Sequence, residues 1–393
     1  MTRIFLALFT GTVFLLSSCG GSTSKSNTDT AKTKPKDTVA TVAEKYDRKF
    51  NDYARFISGQ PALNGSIFKS YDSNEQVKKQ VTAFNARWAD MEKNRLGLMR
   101  SWAKDELYPK VDENLNTFYP FSGPDFLHVY QFYPNSKKYL FLANEMVGDV
   151  PEFDKMSKQQ VLQYLSSIES ALNDIFRRSY FITSYMGSQI PRVKGVIPIF
   201  LVFLSRTGHE ILNVEHIKLD ADGKAVSGKS SSGVSGVRFT FRPEGKPNDI
   251  RTLEYINADI SNEGTDGKGG LKAHPELVKF IESFGRANSF VKAASYLMHY
   301  GTFTTIKDLT MAKSASLLQD DTGIPYRLLK DKFKPFMYGK YTVPISNFSK
   351  SGHYQPDLAK LYATDSASVK ALPFSLGYHW LDKNQNYMLF VAK

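Results

Sequence analysis

A single cysteine limits how this chain can be stabilised. Cys19 is the only cysteine among 393 residues, so no disulfide can form within the chain. The folded part must therefore be held together by buried apolar surface. Roughly 350 residues remain after residues 1–45, which is enough for one large domain or two medium ones. Aromatic residues make up 13% of the sequence, a high share that suits a large core.

The N-terminal segment has the order of features found in an export signal. Arg3 gives a positive start, residues 4–16 form an almost unbroken apolar run, and small residues follow. This run is shorter than the about 20 apolar residues that a retained membrane helix needs. We therefore expect residues 1–18 to be a signal peptide that is removed on export.

The end of this segment, Leu16-Ser17-Ser18-Cys19, resembles the lipobox of bacterial lipoproteins. The resemblance implies cleavage before Cys19, attachment of lipid to its thiol and acylation of the new amino terminus, with palmitate as an expected acyl group. It also implies a lipid-anchored protein of the bacterial cell envelope. Gly20 stands where such proteins carry an acidic residue that retains them at the inner membrane, and this favours the outer membrane.

The composition then divides the mature chain into a tail and a body. Residues 19–45 are rich in Ser, Thr, Lys and Asp and contain no aromatic residue. Such a segment cannot bury enough apolar surface to become ordered, so it is predicted to be a flexible tether. Residues 46–393 are predicted to form the globular body, either as one unit or as two subdomains with a boundary near residue 190.

Residue spacing in the body predicts an α+β fold. Apolar side chains at steps of three and four predict a helix of about 30 residues from Ser73 to Trp102, and a capping-box pattern at Ser157 begins a second one. Strands are predicted at 139–146, 197–204, 209–219, 237–241, 252–258 and 387–391, and short helices at 275–284 and 289–299. Because helices and strands do not alternate regularly, we expect long amphipathic helices in the N-terminal half and mostly antiparallel strands with short helices in the C-terminal half.

The charge of the chain bears on its partners. The formal net charge is +12, and the lysines are scattered along the sequence. A basic exported protein is suited to an anionic ligand or a glycan of the envelope, although scattered lysines are equally typical of a solvated surface. No nucleic-acid-binding module is recognisable, so nucleic acid is not an expected partner. No cofactor is indicated either.

Asp320-Asp321-Thr322-Gly323 offers the best pattern for acid–base chemistry. Two adjacent carboxylates that share a site repel each other, which raises the pKa of one of them. Asp320 and Asp321 are therefore catalytic candidates, together with His299. The alternative is a structural turn, because Asp begins turns and Gly permits a positive φ. We favour the turn.

Other motifs match known patterns without their structural context. Residues 223–230 match the phosphate-loop pattern, but a Gly- and Ser-rich segment and a strand follow instead of a helix, so a hairpin loop is expected. Ser289-Phe-Val-Lys292 resembles the Ser-x-x-Lys motif of penicillin-binding proteins, in which the lysine deprotonates the serine at the start of a helix. Its alternative is an N-cap serine with a solvated lysine. The seven histidines lack a zinc-binding spacing, so no metal site is expected.

Several loops together resemble an uncharacterised family of exported bacterial proteins. The similar segments are 118–126, 144–148, 205–209 and 319–327, and the resemblance covers most of the chain from Tyr108 onward. It implies no activity, but it suggests that function lies in these loops. The candidate binding residues are Tyr119, Phe121, Asp125, Arg206, His209 and Arg327.

These observations favour a lipid-anchored module that binds or assembles a glycan, a peptide or another envelope component. Tyr and Phe beside Pro and Gly can stack on sugar rings or accept a peptide. The alternative is an exported hydrolase that uses Asp320 or Asp321. One concave pocket joining the 118–126 loop, Arg206, His209 and Asp320 would favour the hydrolase, and wide separation would count against it.

Overall fold

The computed structural model describes residues 47–181, 190–231, 233–264, 267, 269–345, 348 and 352–393. These residues belong to one compact unit. Within them, strands from before and after residue 190 join one ten-stranded sheet. The predicted signal peptide at 1–18, the predicted lipidation site Cys19 and the predicted tether at 19–45 lie outside the described residues.

The centre of the sheet is parallel. The strands are β1 (Asn116–Pro120), β2 (Lys138–Ala143), β3 (His209–Leu219), β4 (Ala225–Ser227), β5 (Ser235–Pro243), β6 (Arg251–Asn257), β7 (Ala287–Val291), β8 (Ser314–Gln319), β9 (Phe333–Tyr338) and β10 (Tyr387–Ala392). Their spatial order is β4-β3-β5-β6-β2-β1-β7-β8-β10-β9. The pairs β6-β2, β2-β1, β1-β7 and β7-β8 are parallel, and the outer pairs are antiparallel.

The order of the parallel strands reverses at β1. Strands β2 and β6 lie on one side of β1, and β7 and β8 lie on the other. The carboxyl ends of these five strands therefore meet at one edge of the sheet. In open α/β sheets, ligands bind outside this edge at the point where the strand order reverses. The fold thus provides a crevice at the ends of β1 and β7.

The outer strands close the sheet in two different ways. On one side, β3 pairs with both β4 and β5, with a register shift between Ile211 and Asn213. The segment that matches the phosphate-loop pattern forms the β3–β4 hairpin, and this confirms the expected loop. On the other side, β10 lies between β8 and β9 and pairs antiparallel with both.

Helices cover both faces of the sheet. The α-helices are α1 (Arg48–Ile57), α2 (Glu75–Met91), α3 (Gly97–Trp102), α4 (Phe126–Phe132), α5 (Lys158–Arg178), α6 (Ile197–Arg206), α7 (Gly270–Ala273), α8 (Pro275–Ser283), α9 (Thr304–Lys313), α10 (Tyr326–Leu329) and α11 (Pro356–Thr364). Short 3₁₀ turns lie at Ile67–Tyr71, Tyr108–Lys110, Phe153–Lys155, Ile190–Val193, Leu297–His299, Gly301–Phe303 and Gly377–His379.

The long helix predicted near residues 73–102 is confirmed. A π-helical segment, Glu92–Leu96, joins α2 to α3. A second π-helical segment, Ala103–Leu107, follows α3. The N-cap is Asn74, whose side chain accepts from the Val77 amide at 3.1 Å, one residue later than predicted. Trp102 is buried against four aromatic rings. Trp88, by contrast, is only half-buried.

The capping box predicted at Ser157 is also present. Ser157 Oγ accepts from the Gln160 amide at 3.3 Å, and Gln160 Oε1 accepts from the Ser157 amide at 2.8 Å. These two bonds satisfy backbone donors that the first turn of α5 would otherwise leave without partners.

Two sequence-based element assignments are wrong. Residues 197–204 form helix α6 rather than a strand, because this helix is buried all round and an apolar run cannot distinguish the two cases. Residues 289–299 do not form a helix. Strand β7 ends at Val291, and a turn follows in which Ala293, Ser295 and Tyr296 have φ of 52°, 52° and 58°.

The mixture of helices and strands in one body is confirmed. The strand pairs of the described residues are both parallel and antiparallel, so the predicted division into a helical N-terminal half and a mostly antiparallel C-terminal half is not confirmed. No helix among the described residues is long and apolar enough to cross a membrane.

Candidate functional site

A cavity lies at the carboxyl edge of the parallel strands. Its volume is about 640 Å³. Its walls come from the residues that follow β1, β2, β6 and β7, together with the C-terminal end of α5 and Tyr378. We call it the main cavity. Its position agrees with the general rule for ligand sites in sheets of this type.

Aromatic rings and charged groups line the main cavity together. The aromatic residues beyond Tyr119 are Phe121, Tyr180, Phe181, Phe303, Phe348 and Tyr378. The charged residues are Asp125, Glu145, Asp259, Arg178 and Lys292. Apolar walls with a few polar groups are typical of sites that bind a small molecule, because the walls supply contact area and the polar groups fix its orientation.

A buried ion pair lies at the floor of the cavity. Asp125 follows β1 and is the N-cap of α4, where its Oδ1 accepts from the His128 amide at 3.2 Å. Lys292 follows β7, and its Nζ donates to Asp125 Oδ2 and to the carbonyl oxygen of Ser179. Asp125 is 1% exposed and Lys292 3% exposed. The pair therefore joins the two central strands where the strand order reverses.

Two more groups hold Asp125 in place. Tyr119 donates its hydroxyl to Asp125 Oδ2 at 3.4 Å, and His128 Nδ1 lies 2.8 Å from Oδ1. Burial lowers the pKa of His128 to about 4, so its ring is neutral at pH 7 and donates from Nδ1. The other ring nitrogen, Nε2, is buried without a hydrogen-bond partner among the described residues.

The charges of the pair depend on each other. Burial raises the pKa of Asp125, but His128 and Lys292 together lower it below its ordinary value. Burial lowers the pKa of Lys292, and the carboxylate of Asp125 counters part of that effect. Removing either partner would leave an uncompensated charge in a dry site.

Asp320 fastens the turn after β7. Its Oδ2 accepts from the Ala293 amide at 3.2 Å, and its Oδ1 accepts from the Thr322 amide at 3.0 Å and from the Thr322 hydroxyl. Thr322 Oγ1 in turn accepts from the Ala294 amide at 2.9 Å. Residues other than glycine are strained at positive φ, and these bonds oppose that strain. The arrangement is that of a structural turn.

Asp321 belongs to a neighbouring buried network. Its Oδ2 accepts from the Tyr296 hydroxyl at 2.5 Å, and its Oδ1 accepts from Asn386 Nδ2 at 3.0 Å. His379 Nε2 lies 3.3 Å from the same Oδ1. Neither Asp320 nor Asp321 lines the main cavity, and both are 1% exposed.

The pKa values of these groups follow from burial and from each other. Burial and then the charge of Asp321 raise the pKa of Asp320, although its hydrogen bond from Thr322 lowers it. Burial lowers the pKa of His379, but the hydrogen bond and the charge of Asp321 raise it by more, so the net shift is upward. His379 is therefore protonated over a wider pH range than an ordinary histidine.

His299 and Arg327 lie in a second, smaller cavity of about 320 Å³. His353 also lines it, stacked on Tyr296 with the ring centroids 4.3 Å apart. Burial lowers the pKa of His299 to about 4, so His299 is neutral at pH 7. The structure therefore separates these two candidates from Tyr119, Phe121 and Asp125.

Arg206 and His209 do not line either of the two cavities; they contact other parts of the folded body. Arg206 Nε donates to the Ser58 carbonyl at 2.7 Å, and its guanidinium lies over Phe84 and Trp88, at 4.9 and 5.2 Å from the ring centroids. Arg206 thereby joins α6 to the helices beside it. His209 is 2% exposed.

The structure thus brings some predicted residues together and not others. Tyr119, Phe121 and Asp125 share the main cavity, whereas Arg206 and His209 do not reach it. Sequence reasoning missed Glu145 and Asp259 as site residues and placed Lys292 in solvent. Their positions in the sequence could have identified them, because each residue lies one or two positions after the end of a parallel strand. Among the described residues, no three His, Cys, Asp or Glu side chains are grouped as metal ligands.

Comparison of the chain with protein-family models, curated proteins and solved structures gave no match. The resemblances to lipoproteins and to a family of exported proteins therefore stay predictions. Function has to be argued from the geometry of the site.

Proposed function

We propose that this protein is a lipid-anchored binding module of the bacterial cell envelope that holds a glycan, a peptide or a similar small polar ligand in the main cavity. The observation that carries the proposal is the cavity of about 640 Å³ at the carboxyl ends of the parallel strands, where aromatic rings and charged groups converge. Cavities of roughly 300–1,000 Å³ with this mixture are the usual sites for small ligands.

The aromatic rings favour a ligand with flat or ring-shaped faces. The ring centroids of Phe121 and Phe303 lie 5.6 Å apart, and those of Tyr180 and Tyr378 lie 4.7 Å apart. Rings in pairs of this kind offer apolar faces to the C–H surface of a sugar or to a peptide side chain. The hydroxyl and carboxylate groups beside them can bond the polar edge of the same ligand.

The anchor belongs to the same proposal and is supported by the sequence. The lipobox-like Leu16–Cys19 segment and the tether at 19–45 would hold the binding body at the outer membrane. A tether suits a binding protein because it keeps the cavity close to the envelope while the body remains free to turn.

The test is a ligand screen on the whole protein purified in detergent. Mono- and disaccharides and short peptides are added, and thermal unfolding is followed. A ligand present at 100 times its Kd stabilises the folded state by about 2.7 kcal/mol, which is measurable as a rise in Tm. If no sugar or peptide raises Tm, the binding proposal is wrong.

A variant locates the binding. Phe303→Ala removes one aromatic face from the main cavity and should weaken any ligand found by about 2- to 10-fold. Phe336→Ala is the matched control, because Phe336 is also half-buried but lies on β9 outside the cavity. Equal loss in both variants would show that the ligand does not bind in the main cavity.

A hydrolase that uses Asp320 or Asp321 is the second candidate. The contact of His379 with Asp321 favours it, because a carboxylate that orients a histidine is a common part of acid–base sites. The amide bonds to Asp320 and the absence of both aspartates from the cavity walls count against it. Folded Asp320→Asn or Asp321→Asn protein that lost a measured hydrolase activity would establish the enzyme.

A further inference from the structure

Two carboxylates of the main cavity have no cationic partner among the residues that the structure describes. Glu145 and Asp259 both line the cavity, and no lysine, arginine or histidine nitrogen among the described residues lies within 4.0 Å of either carboxylate. Glu145 Oε2 lies 3.4 Å from the Tyr255 hydroxyl, which also donates to the Glu145 carbonyl oxygen at 2.7 Å, and Asp259 Oδ1 accepts from the Ser261 amide at 2.9 Å. Both residues are partly buried.

The sheet places the loops that carry these two carboxylates next to each other. Glu145 follows β2 by two residues, and Asp259 follows β6 by two residues. The strands are adjacent and parallel, with Ala143 opposite Asn257. Neighbouring strands lie about 4.8 Å apart, so the loops that carry the carboxylates leave the sheet next to each other. Asn257 Nδ2 fixes the first loop by donating to the Glu145 carbonyl at 2.7 Å.

Aromatic rings line the same cavity as the carboxylates. The Asn262 amide donates to the Thr302 carbonyl at 2.7 Å, which holds the loop of Asp259 against the turn that carries Phe303. Phe303 in turn packs against Phe121, and both rings line the cavity. Carboxylates next to ring faces form a site that suits a cation, because both attract positive charge.

The other charges of the cavity do not cancel this negative end. Lys292 is bound to Asp125, and Arg178 Nε lies 3.7 Å from Asp174 Oδ1. The two bases lie near each other, because the carbonyl of Ser179, next to Arg178, contacts Lys292 after β7. The end at β2 and β6 is therefore acidic, although the whole chain carries a net charge of +12.

We propose that the main cavity selects a ligand that carries a protonated amine, and that Glu145 and Asp259 bind this amine while Phe121 and Phe303 cover its apolar neighbours. This inference rests on the proposed binding function and narrows the ligand class. An amino sugar and a peptide with a free amine both contain the required group. A primary ammonium has N–H donors that two carboxylates can accept together.

The pKa of Glu145 agrees with the proposal that this carboxylate binds an ammonium group. Burial raises the pKa of Glu145, and its own backbone amide and the Tyr255 hydroxyl oppose that shift only in part. A bound ammonium would supply the positive charge that the carboxylate lacks.

The experiment compares matched probes on the whole protein in detergent by isothermal titration calorimetry. Glucosamine and glucose share a ring and differ in the amine, and 1,5-diaminopentane and 1,5-pentanediol differ in the same way without a sugar. We expect each amine to bind at least about tenfold more tightly than its neutral analogue. Amines that bind no better than their analogues, or not at all at millimolar concentration, would overturn the inference.

Two variants assign the binding to the carboxylates. Glu145→Gln and Asp259→Asn keep size and an acceptor for the Tyr255 and Ser261 donors, so both should fold with the Tm of the wild type. Each should lose most of the preference for amines. Glu152→Gln is the control, because Glu152 is exposed and pairs with Lys155 outside the cavity. If both variants still bind amines more tightly than the neutral analogues, the assignment of amine binding to Glu145 and Asp259 is wrong.

The outcomes separate this inference from the function on which it rests. If neutral sugars or peptides bind in the main cavity and amines have no advantage, the inference fails while the binding module stands. If no compound of the screen or of the probe set binds, both fail. If amines bind and Phe303→Ala weakens them but Phe336→Ala does not, both are supported.

Discussion

Replacement of Lys292 by methionine should destabilise the protein more than most substitutions outside an apolar core. Lys292 Nζ bonds Asp125 and the Ser179 carbonyl, and both ionic side chains are only 2% exposed. Methionine fills a similar volume but leaves Asp125 charged without its cation. Breaking a buried pair in this way costs about 3–5 kcal/mol. That is a large part of the about 5–15 kcal/mol that stabilises a typical folded protein.

The measurement is urea unfolding followed by tryptophan fluorescence at pH 7. Lys155→Met is the matched control, because Lys155 forms an ion pair with Glu152 at 2.7 Å in which both side chains are exposed. Solvent and salt screen an exposed pair, so Lys155→Met should lower the free energy of unfolding much less than Lys292→Met does. If Lys292→Met lowers the free energy of unfolding by less than about 1 kcal/mol, the conclusion that the buried ion pair stabilises the fold is wrong.

Two further measurements identify the cause. The double variant Asp125→Asn with Lys292→Met removes both charges, so it should be more stable than Lys292→Met alone. Without Lys292, the pKa of Asp125 should also rise, because the cation that lowers it is gone. Asp125 then becomes neutral on acidification, and the penalty of Lys292→Met should be smaller near about pH 4 than at about pH 7. A penalty independent of pH would point to lost packing.

Three other predictions address the anchor, the core and the buried network. Cys19→Ser should release the protein from membranes if lipid on Cys19 is the sole anchor, and cell fractionation with immunoblotting checks this. Trp102→Ala should cost about 3–5 kcal/mol in urea unfolding because Trp102 is buried, and Trp88→Ala should cost less because Trp88 is half-exposed. The raised pKa of His379 means that its contact with Asp321 stabilises the fold below the ordinary histidine pKa of about 6.5 and is lost as pH rises through the folded-state pKa. His379→Phe should therefore destabilise the protein more at about pH 5.5 than at about pH 8.5, as measured by urea unfolding.

Local signals in the sequence predicted local structure well. The Ser157 capping box and the strands at 237–241 and 252–258 depend on residues close in the chain, and they were predicted. Helix α6 was mistaken for a strand because it is buried on every side and so has no polar face to reveal its period. Apolar runs of this kind need tertiary information before they can be assigned.

The candidate site was only partly predictable because it depends on contacts between distant segments. Asp125 and Lys292 are 167 positions apart in the chain. Only the parallel pairing of β1 with β7 brings them together, and the sequence does not show that pairing. Lys292 was expected in solvent since charged side chains are seldom fully buried. Arg206 packs over Phe84 and Trp88, and His209 is buried; polar residues with structural roles of this kind look like functional residues in a sequence.

The position of β10 has a consequence for incomplete chains. Strand β10 follows β8 and β9 in the chain, yet it lies between them, and these two strands do not pair with each other. A chain that lacks residues 387–392 would therefore expose one edge of each of these strands at once. Unpaired strand edges promote aggregation and leave backbone accessible to proteases. We therefore expect a chain without this strand to aggregate and to be cleaved by proteases more readily than a chain that contains it.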